Sequence, residues 1–179
     1  MRVIAGQFRG RRLVSPQGAA IRPTSDRARE ALFDILEHGE PPVRGARFLD
    51  LFCGTGAVGI EACSRGAADA LLIESDPEAL RLARANLARI GTLPHVRLMA
   101  GDAARLGAAP QRFDLVFLDP PYRSGLALPA LAGLRGGWLA PGARIVVELA
   151  AREPLDPQGG FGIEQERRYG AARFVFLRP

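Results

Sequence analysis

The apolar residues of this 179-residue chain fall into short continuous runs separated by stretches with helical spacing. The runs at 48–52, 70–74, 96–99, 113–118 and 144–149 are typical of buried strands. Between them, 57–65, 77–90 and 126–134 have the apolar spacing of helices. This alternation predicts an α/β fold with three layers and a mostly parallel sheet. Two further runs around Gly170, at 163–169 and 173–177, predict a C-terminal antiparallel hairpin.

The first 40 residues have a different pattern. Apolar residues and arginines are interleaved over 3–14, which predicts an extended or hairpin-like arm, and a turn is expected at 16–18. Ser25 is a suitable N-cap for a helix. The apolar residues that follow it at helical spacing are Ala28, Ala31, Leu32, Ile35 and Leu36. We therefore expect a small appendage at 1–40, made of an arm and a helix, and a main domain at 41–179.

A glycine-rich turn follows the first predicted strand. Its residues Gly54, Thr55 and Gly56, with Gly59 beyond them, match G-x-G-x-x-G, which lets a backbone approach an adenosine-containing ligand closely. Asp50 lies before the turn, where its carboxylate would repel a dinucleotide pyrophosphate but attract the methionine ammonium of S-adenosylmethionine. Such a turn also occurs for packing alone. With a strand and a helix beside it, S-adenosylmethionine is the favoured ligand.

Two more acids follow predicted strands and are candidates for cofactor binding. Glu74 comes 24 residues after Asp50, near the spacing at which an acid accepts hydrogen bonds from ribose hydroxyls. Asp102 and Ala103 follow the third strand, where Asp102 is placed to accept the adenine amino group. The alternatives are a surface acid at a strand end for Glu74 and an ordinary helix cap for Asp102.

The most specific pattern is Asp119-Pro120-Pro121-Tyr122, directly after the fourth strand. The exocyclic amine of a base or an amide is a poor nucleophile, because its lone pair is delocalised. A carboxylate from Asp119 and the carbonyl of Pro120 would accept its two N–H bonds and favour attack on a methyl group. Tyr122 offers a flat face for stacking a base. A proline-rich turn with a buried tyrosine is the alternative interpretation.

The net charge of +5 originates at the front of the chain. Residues 1–30 hold seven arginines and two acids, whereas the rest holds 17 arginines and 17 acids, and the chain has no lysine. This imbalance favours contact with nucleic acid, although a solvated charged arm is the alternative. The candidate contacts are Arg9, Arg11, Arg12, Arg22 and Arg27, and Arg29 is also expected to point outward.

Length and composition limit the remaining classes. The chain is too short for a nucleotide domain plus a separate substrate domain, which counts against a dehydrogenase. No apolar run approaches the ~20 residues of a membrane span, and we expect no signal peptide, because residues 1–6 have no apolar core long enough for one. Its two cysteines and two histidines lack metal-ligand spacing. We expect a cytoplasmic monomer without a metal.

Several of these residues resemble a known family. The segment 50–56 and Asp119 to Tyr122 look like the class I S-adenosylmethionine-dependent amino-methyltransferases. The segments 1–13 and 22–33 resemble the bacterial RsmD-type enzymes, which methylate N2 of a guanine in 16S ribosomal RNA. The resemblance implies a Rossmann-like methyltransferase fold, S-adenosylmethionine as cofactor, and 16S RNA or an assembling small ribosomal subunit as partner. Cys53 departs from the usual alanine of this family.

The same chemistry leaves other functions open. An adenine-N6 DNA methyltransferase or a glutamine-N5 protein methyltransferase would use the same motif, but neither explains the basic front of the chain as well. A non-catalytic RNA-binding assembly factor and a NAD-dependent enzyme are the remaining alternatives. The sequence also predicts that RNA contact and cofactor binding are separable, because the arm precedes the glycine turn by more than 40 residues.

Overall fold

A computed structural model describes residues 1–15, 25–91, 93, 95–157 and 159–179. The helices in these ranges are α1 (Asp26–Glu37), α2 (Ala57–Ser64), α3 (Pro77–Ile90) and α4 (Ala127–Leu134). The strands are β1 (Arg47–Leu51), β2 (Asp69–Glu74), β3 (Val96–Ala100), β4 (Phe113–Leu118), β5 (Leu139–Ala150), β6 (Gly162–Tyr169) and β7 (Ala172–Arg178). The predicted turn at 16–18 and Arg22 lie outside the described residues.

The strands form one seven-stranded sheet with the order β3-β2-β1-β4-β5-β7-β6. Strands β1 to β5 are parallel, whereas β7 is antiparallel to both β5 and β6. The predicted fold, a mostly parallel sheet closed by an antiparallel hairpin, is confirmed. The strand order reverses between β1 and β4, so their carboxyl ends border the crevice where such sheets bind ligands.

Apolar clusters on both faces of the sheet make it the middle of three layers. Leu49 of β1 belongs to a cluster with Leu131 of α4, and Phe48, its neighbour in the chain, belongs to the opposite cluster with α1. The Phe33 ring of α1 stacks on Phe48, with ring centroids 6.2 Å apart. Neighbouring strand residues thus face opposite layers, as expected for a sheet covered on both sides.

The N-terminal arm forms a hairpin-like loop that packs on α2 and α3. Its apolar residues Val3, Phe8 and Leu13 share a buried cluster with Ile60 of α2. Glu61, which is fully buried, accepts hydrogen bonds from the backbone N–H groups of Ile4 and Ala5, at 2.8 and 2.9 Å. The division into 1–40 and 41–179 stays a prediction; the contacts show that the arm is tied to the main body.

Two of the strand boundaries that differ from the predictions have clear local reasons. The first strand ends at Leu51 because Phe52 has a left-handed φ of 59°, which takes the chain out of the sheet. β5 begins at Leu139, earlier than the predicted 144, since Leu139 pairs with Phe113 before a register shift. Pro141 lies two residues after Leu139, and a proline is unfavourable within a strand because it lacks a backbone N–H group. The irregular register at this point accommodates it. Among the described helices, none combines the length and apolar character of a bilayer span.

Candidate active site

A cavity of about 470 Å³ opens at the carboxyl ends of the parallel strands. Its lining residues are Phe52, Gly54, Glu74, Ser75, Asp76, Ala79, Asp102, Asp119, Pro120, Pro121, Tyr122, Leu126 and Glu148. Six predicted site residues therefore meet in one place, although they come from four separate segments of the chain. The predicted residues Asp50, Thr55, Gly56 and Ala103 are not part of this lining.

A larger groove, of about 630 Å³, lies between α1 and β6 and is lined in part by Asp34, Arg144 and Glu164. None of the predicted site residues borders it. The Arg144 guanidinium is already engaged, because it donates to Glu164 at 2.8 Å and lies 4.8 Å from the centroid of the Phe176 ring. The cavity at the switch point of the sheet is therefore the candidate active site.

The glycine turn connects β1 to α2 and forms one wall of the cavity. Gly54 and Gly56 both have left-handed φ values, 55° and 75°, which side chains rarely adopt. A Cβ at Gly59 would lie 2.7 Å from a methyl carbon of Leu72, so glycine there lets α2 approach β2 closely. The buried Thr55 is held from behind, since Asn86 donates a 2.9 Å hydrogen bond to its carbonyl.

Asp50 is buried beneath the turn. One carboxylate oxygen, Oδ2, accepts a 2.8 Å hydrogen bond from the N–H of Gly59, and Oδ1 has no hydrogen-bond partner among the described residues. Desolvation raises the pKa of Asp50 to about 7; the Gly59 N–H opposes this shift and the negative charge of Glu74 adds to it. A contact with the methionine ammonium stays a prediction, and such a cation would favour the ionised carboxylate.

Glu74 joins the end of β2 to the glycine turn. Its Oε2 accepts from the N–H of Gly54 at 2.8 Å, and its Oε1 accepts from Ser75 and Asp76 at 2.8 and 2.9 Å. Asp76 in turn caps α3 through the N–H of Ala79 at 2.8 Å. The carboxylate is thus fixed by three backbone groups at the cavity wall, and its role as the ribose acceptor stays a prediction.

Asp102 and Ala103 lie in different environments, although they are neighbours in the chain. Asp102 is exposed at the cavity, and its Oδ1 accepts a 2.9 Å hydrogen bond from the N–H of Ala104. This is an Asx-turn contact, and because no helix follows Asp102 before β4 in the described range 95–157, it is not the helix cap that the sequence left open as an alternative. Ala103 packs into the main apolar cluster instead. Of the two residues, only Asp102 borders the cavity, and adenine binding stays a prediction for both.

The segment Asp119 to Tyr122 forms another wall of the cavity. The Asp119 N–H donates to the carbonyl of Leu51 at 3.2 Å, which ties the end of β4 to the end of β1. Pro120 is buried, and Tyr122 is half-buried and donates its hydroxyl to Oε1 of Glu148 at 3.1 Å. The motif is therefore stiffened both by its prolines and by a contact with β5.

Sequence reasoning missed Glu148 and Phe52, which both border the cavity. Glu148 lies on β5 and is only 4% exposed. A single acid within the apolar run 145–149 of β5 was the available signal, because a buried carboxylate needs a reason to be there. Phe52 gave no comparable signal, since a phenylalanine at the end of an apolar run is ordinary.

The predicted RNA-binding arginines have different environments. Arg9, Arg12 and Arg27 are exposed, and Arg22 lies outside the described residues. Arg11 donates to the carbonyl of Ile90 and lies 5.1 Å from the centroid of the Phe8 ring, so it also anchors the arm. The outward position expected for Arg29 is wrong. It is fully buried, where it pairs with Asp26 at 2.9 Å and lies 3.8 Å from Glu61.

Known proteins resemble the chain over most of its length. The family model described as conserved hypothetical protein 95 matches residues 1–178. Ribosomal RNA small subunit methyltransferase D from Escherichia coli (strain K12) is 41% identical over 157 residues, which cover 83% of this chain and 74% of that protein. The putative rRNA methyltransferase YlbH from Bacillus subtilis (strain 168) is 39% identical over 127 residues, which cover 69% and 67%.

A solved structure agrees with these relatives. The putative methyltransferase yhhF from Escherichia coli has a TM-score of 0.85 and 36% sequence identity, and the match covers 99% of this chain and 96% of that one. The resemblance to the RsmD-type family is confirmed. Because the family model spans nearly the whole sequence, the chain belongs to the family described as conserved hypothetical protein 95, together with these methyltransferases.

Proposed function

We propose that this protein transfers the methyl group of S-adenosylmethionine to the exocyclic N2 amine of a guanine in 16S ribosomal RNA. One observation carries the proposal. The segment Asp119 to Tyr122 and the residues predicted to hold the cofactor, Gly54, Glu74 and Asp102, border a single cavity. The relatives named as ribosomal RNA small subunit methyltransferase D support the choice of substrate.

The acceptor groups at one end of the cavity fit S-adenosylmethionine. Gly54 borders the cavity, and a Cβ built there would meet no atom within 4 Å, so space is open beside the backbone. Glu74 and Asp102 offer carboxylate oxygens suited to ribose hydroxyls and to the adenine amino group. Asp50, with one unpaired buried oxygen, is suited to the ammonium group. When bound, the cofactor supplies a methyl group activated by its sulfonium.

The opposite end of the cavity would activate the guanine. The Asp119 carboxylate and the Pro120 carbonyl accept the two N–H bonds of the amine, which localises the nitrogen lone pair and stabilises the positive charge that develops on nitrogen. Tyr122 stacks on the base, and its hydrogen bond to Glu148 orients the ring for that contact. These residues therefore position and polarise the amine, and no metal is required for this chemistry.

The exposed arginines of the arm would contact RNA phosphates, which suits a substrate as highly charged as ribosomal RNA. The proposed substrate is ribosomal RNA or an assembling small subunit, and we propose a cytoplasmic monomer as the acting form. The arm packs on α2 and α3, next to the glycine turn, so bound RNA would lie near the cavity mouth.

The test measures transfer of tritiated methyl groups from S-adenosylmethionine to naked 16S RNA and to small subunits lacking the modification. Mass spectrometry then maps the modified base. We expect label on N2 of one guanine, and a labelling rate lower by on the order of 10² to 10³ with the Asp119→Asn variant under the same conditions. Label on adenine in DNA or on a glutamine side chain would overturn the proposal. RNA binding with no transfer to any of these substrates would instead favour a non-catalytic assembly factor.

A further inference from the structure

We propose that Glu148 selects guanine, by accepting a hydrogen bond from the N1–H of the base beside the amine that is methylated. The inference rests on the proposed function and adds a specificity residue to the same site. Glu148 is 4% exposed, lies within the apolar run 145–149 of β5, and borders the cavity together with Asp119 and Tyr122.

The sheet register places Glu148 level with Asp119. β4 and β5 are parallel neighbours, and Leu118 is paired with Val147. The next residue on each side is Asp119 and Glu148. Residues at the same level of neighbouring strands are ~4.8 Å apart and lie on the same face of the sheet. Asp119 is the first residue beyond β4, and both residues line the same cavity, so we infer that the two carboxylates lie near each other where the base would enter.

Two adjacent carboxylates match the hydrogen-bonding edge of guanine. This edge presents the N2 amine next to the N1–H, so neighbouring positions are both donors. If Asp119 accepts from the amine, a second acceptor beside it is placed for N1–H. Adenine has an acceptor at N1 next to its amine, and a carboxylate would repel it. Glu148 would therefore favour guanine over the adenine of the alternative function.

The contact with Tyr122 is compatible with this role. A carboxylate can accept several hydrogen bonds at once, and Glu148 accepts one of them on Oε1 from the Tyr122 hydroxyl. Glu148 would then contact both the base edge and the residue that stacks on the base face. The competing explanation is that Glu148 only orients Tyr122, and the experiment must separate these two roles.

The test uses RNA in which the mapped guanosine is replaced by 2-aminopurine riboside. This base keeps the N2 amine but lacks N1–H and O6. Every enzyme variant is compared on the same two RNAs, so a difference between variants does not arise from the missing O6. For the wild type we expect kcat/KM to be about 10²-fold lower on the 2-aminopurine RNA. In Glu148→Gln the amide can donate to N1 of 2-aminopurine, so this preference should shrink by at least ~tenfold.

The Tyr122→Phe variant is the matched control, because it removes the hydroxyl bonded to Glu148 and keeps the ring. We expect it to retain the wild-type preference for guanine within ~threefold, whatever its overall rate. A direct readout is the affinity of the two RNAs in the presence of S-adenosylhomocysteine, which should show the same pattern without turnover.

Three outcomes would overturn the role of Glu148 while leaving the proposed function intact. The wild type could methylate both RNAs equally well, which excludes selection through N1–H even if no variant folds. Glu148→Gln could keep the full preference for guanine. Tyr122→Phe could lose the preference as completely as Glu148→Gln, which would reduce Glu148 to a support for the ring. Failure of the proposed function is distinct, because guanosine RNA itself would then receive no N2 methyl group.

Discussion

The two ends of the cavity are built in different ways. At the cofactor end, Glu74, Asp76 and Asp102 accept hydrogen bonds from backbone N–H groups of their own or an adjacent loop. At the base end, Tyr122 and Glu148 are joined side chain to side chain between two different elements. The cofactor end is thus built mostly from contacts within loops, with the Glu74–Gly54 contact joining β2 to the glycine turn, whereas the base end depends on how β4 and β5 are aligned.

The largest expected effect is that of Asp119→Asn, which should impair methyl transfer at the base end and leave cofactor binding unchanged. Asp119→Asn keeps the backbone N–H that bonds to Leu51, but replaces one oxygen by a donor that repels the amine. We expect the methyl-transfer rate to fall by on the order of 10² to 10³, the usual loss of one preorganised electrostatic partner. Single-turnover kinetics measures this fall, and calorimetry with S-adenosylhomocysteine should show unchanged affinity. A normal rate would remove Asp119 from the mechanism.

The next prediction concerns the raised pKa of Asp50, the buried acid beneath the cofactor end. Its folded-state pKa is raised from 3.8 to about 7. Between these values the folded protein holds a proton that the unfolded chain releases, so the free energy of unfolding falls as pH rises through this window. We expect a fall of about 4 kcal/mol from this group across the whole window, of which about 3 kcal/mol lies above pH 5. Asp50→Asn should remove it.

Urea unfolding of the wild type and of Asp50→Asn at about pH 5 and about pH 8 checks this expectation. The same pH dependence in both proteins would contradict it. S-adenosylhomocysteine also carries the ammonium group, so its affinity for the wild type should rise between these pH values. The Asp50→Asn variant should lose most of that rise.

Variants of Glu74 test whether this residue binds the cofactor or only holds the surrounding loops in place. Glu74→Gln retains one carbonyl oxygen for backbone N–H groups but loses the charge, whereas Glu74→Ala loses all three hydrogen bonds. We expect S-adenosylhomocysteine to bind at least ~tenfold more weakly to both variants, since a charged hydrogen-bonding partner contributes about 1.5–3 kcal/mol. Calorimetry that finds wild-type affinity for Glu74→Gln would leave this residue with a structural role alone.

The contrast between the two ends also explains what the sequence could predict. The glycine turn, Glu74 and Asp119 to Tyr122 were found because each is a local pattern beside a strand. Glu148 was missed because its contact with Tyr122 spans 26 positions and depends on the β4–β5 register. The fold was predictable from alternating apolar runs, but the position of Arg29 was not. Helical spacing did not reveal that the arm would cover it, with the carbonyl of Arg2 bonded to its guanidinium.

The arm relates to the cofactor end more closely than its distance in the sequence suggests. The Asn86 side chain exchanges hydrogen bonds with both backbone groups of Val14 and also donates to the carbonyl of Thr55. The sulfur of Met1 lies 3.8 Å from the Thr55 hydroxyl. Separability of RNA and cofactor binding stays a prediction. Its test must change exposed charges on the arm and leave these anchoring contacts in place.

The smallest expected effect is that of the exposed arm charges. Arg9, Arg11 and Arg12 are all exposed, but Arg11 also anchors the arm at Ile90 and should be kept. We expect Arg9→Ala with Arg12→Ala to lower the salt slope of RNA binding by about 0.7 to 1 unit per lost phosphate contact.

The double replacement Arg167→Ala with Arg168→Ala removes the same charge from β6, at the opposite edge of the sheet from β3, and is the matched control. Filter binding across a range of salt concentrations should separate the two variants, while both keep wild-type affinity for S-adenosylhomocysteine. Equal slopes in the two variants would show that the arm contributes only general charge, and a loss of S-adenosylhomocysteine binding in the arm variant alone would show that the arm acts on the cofactor site.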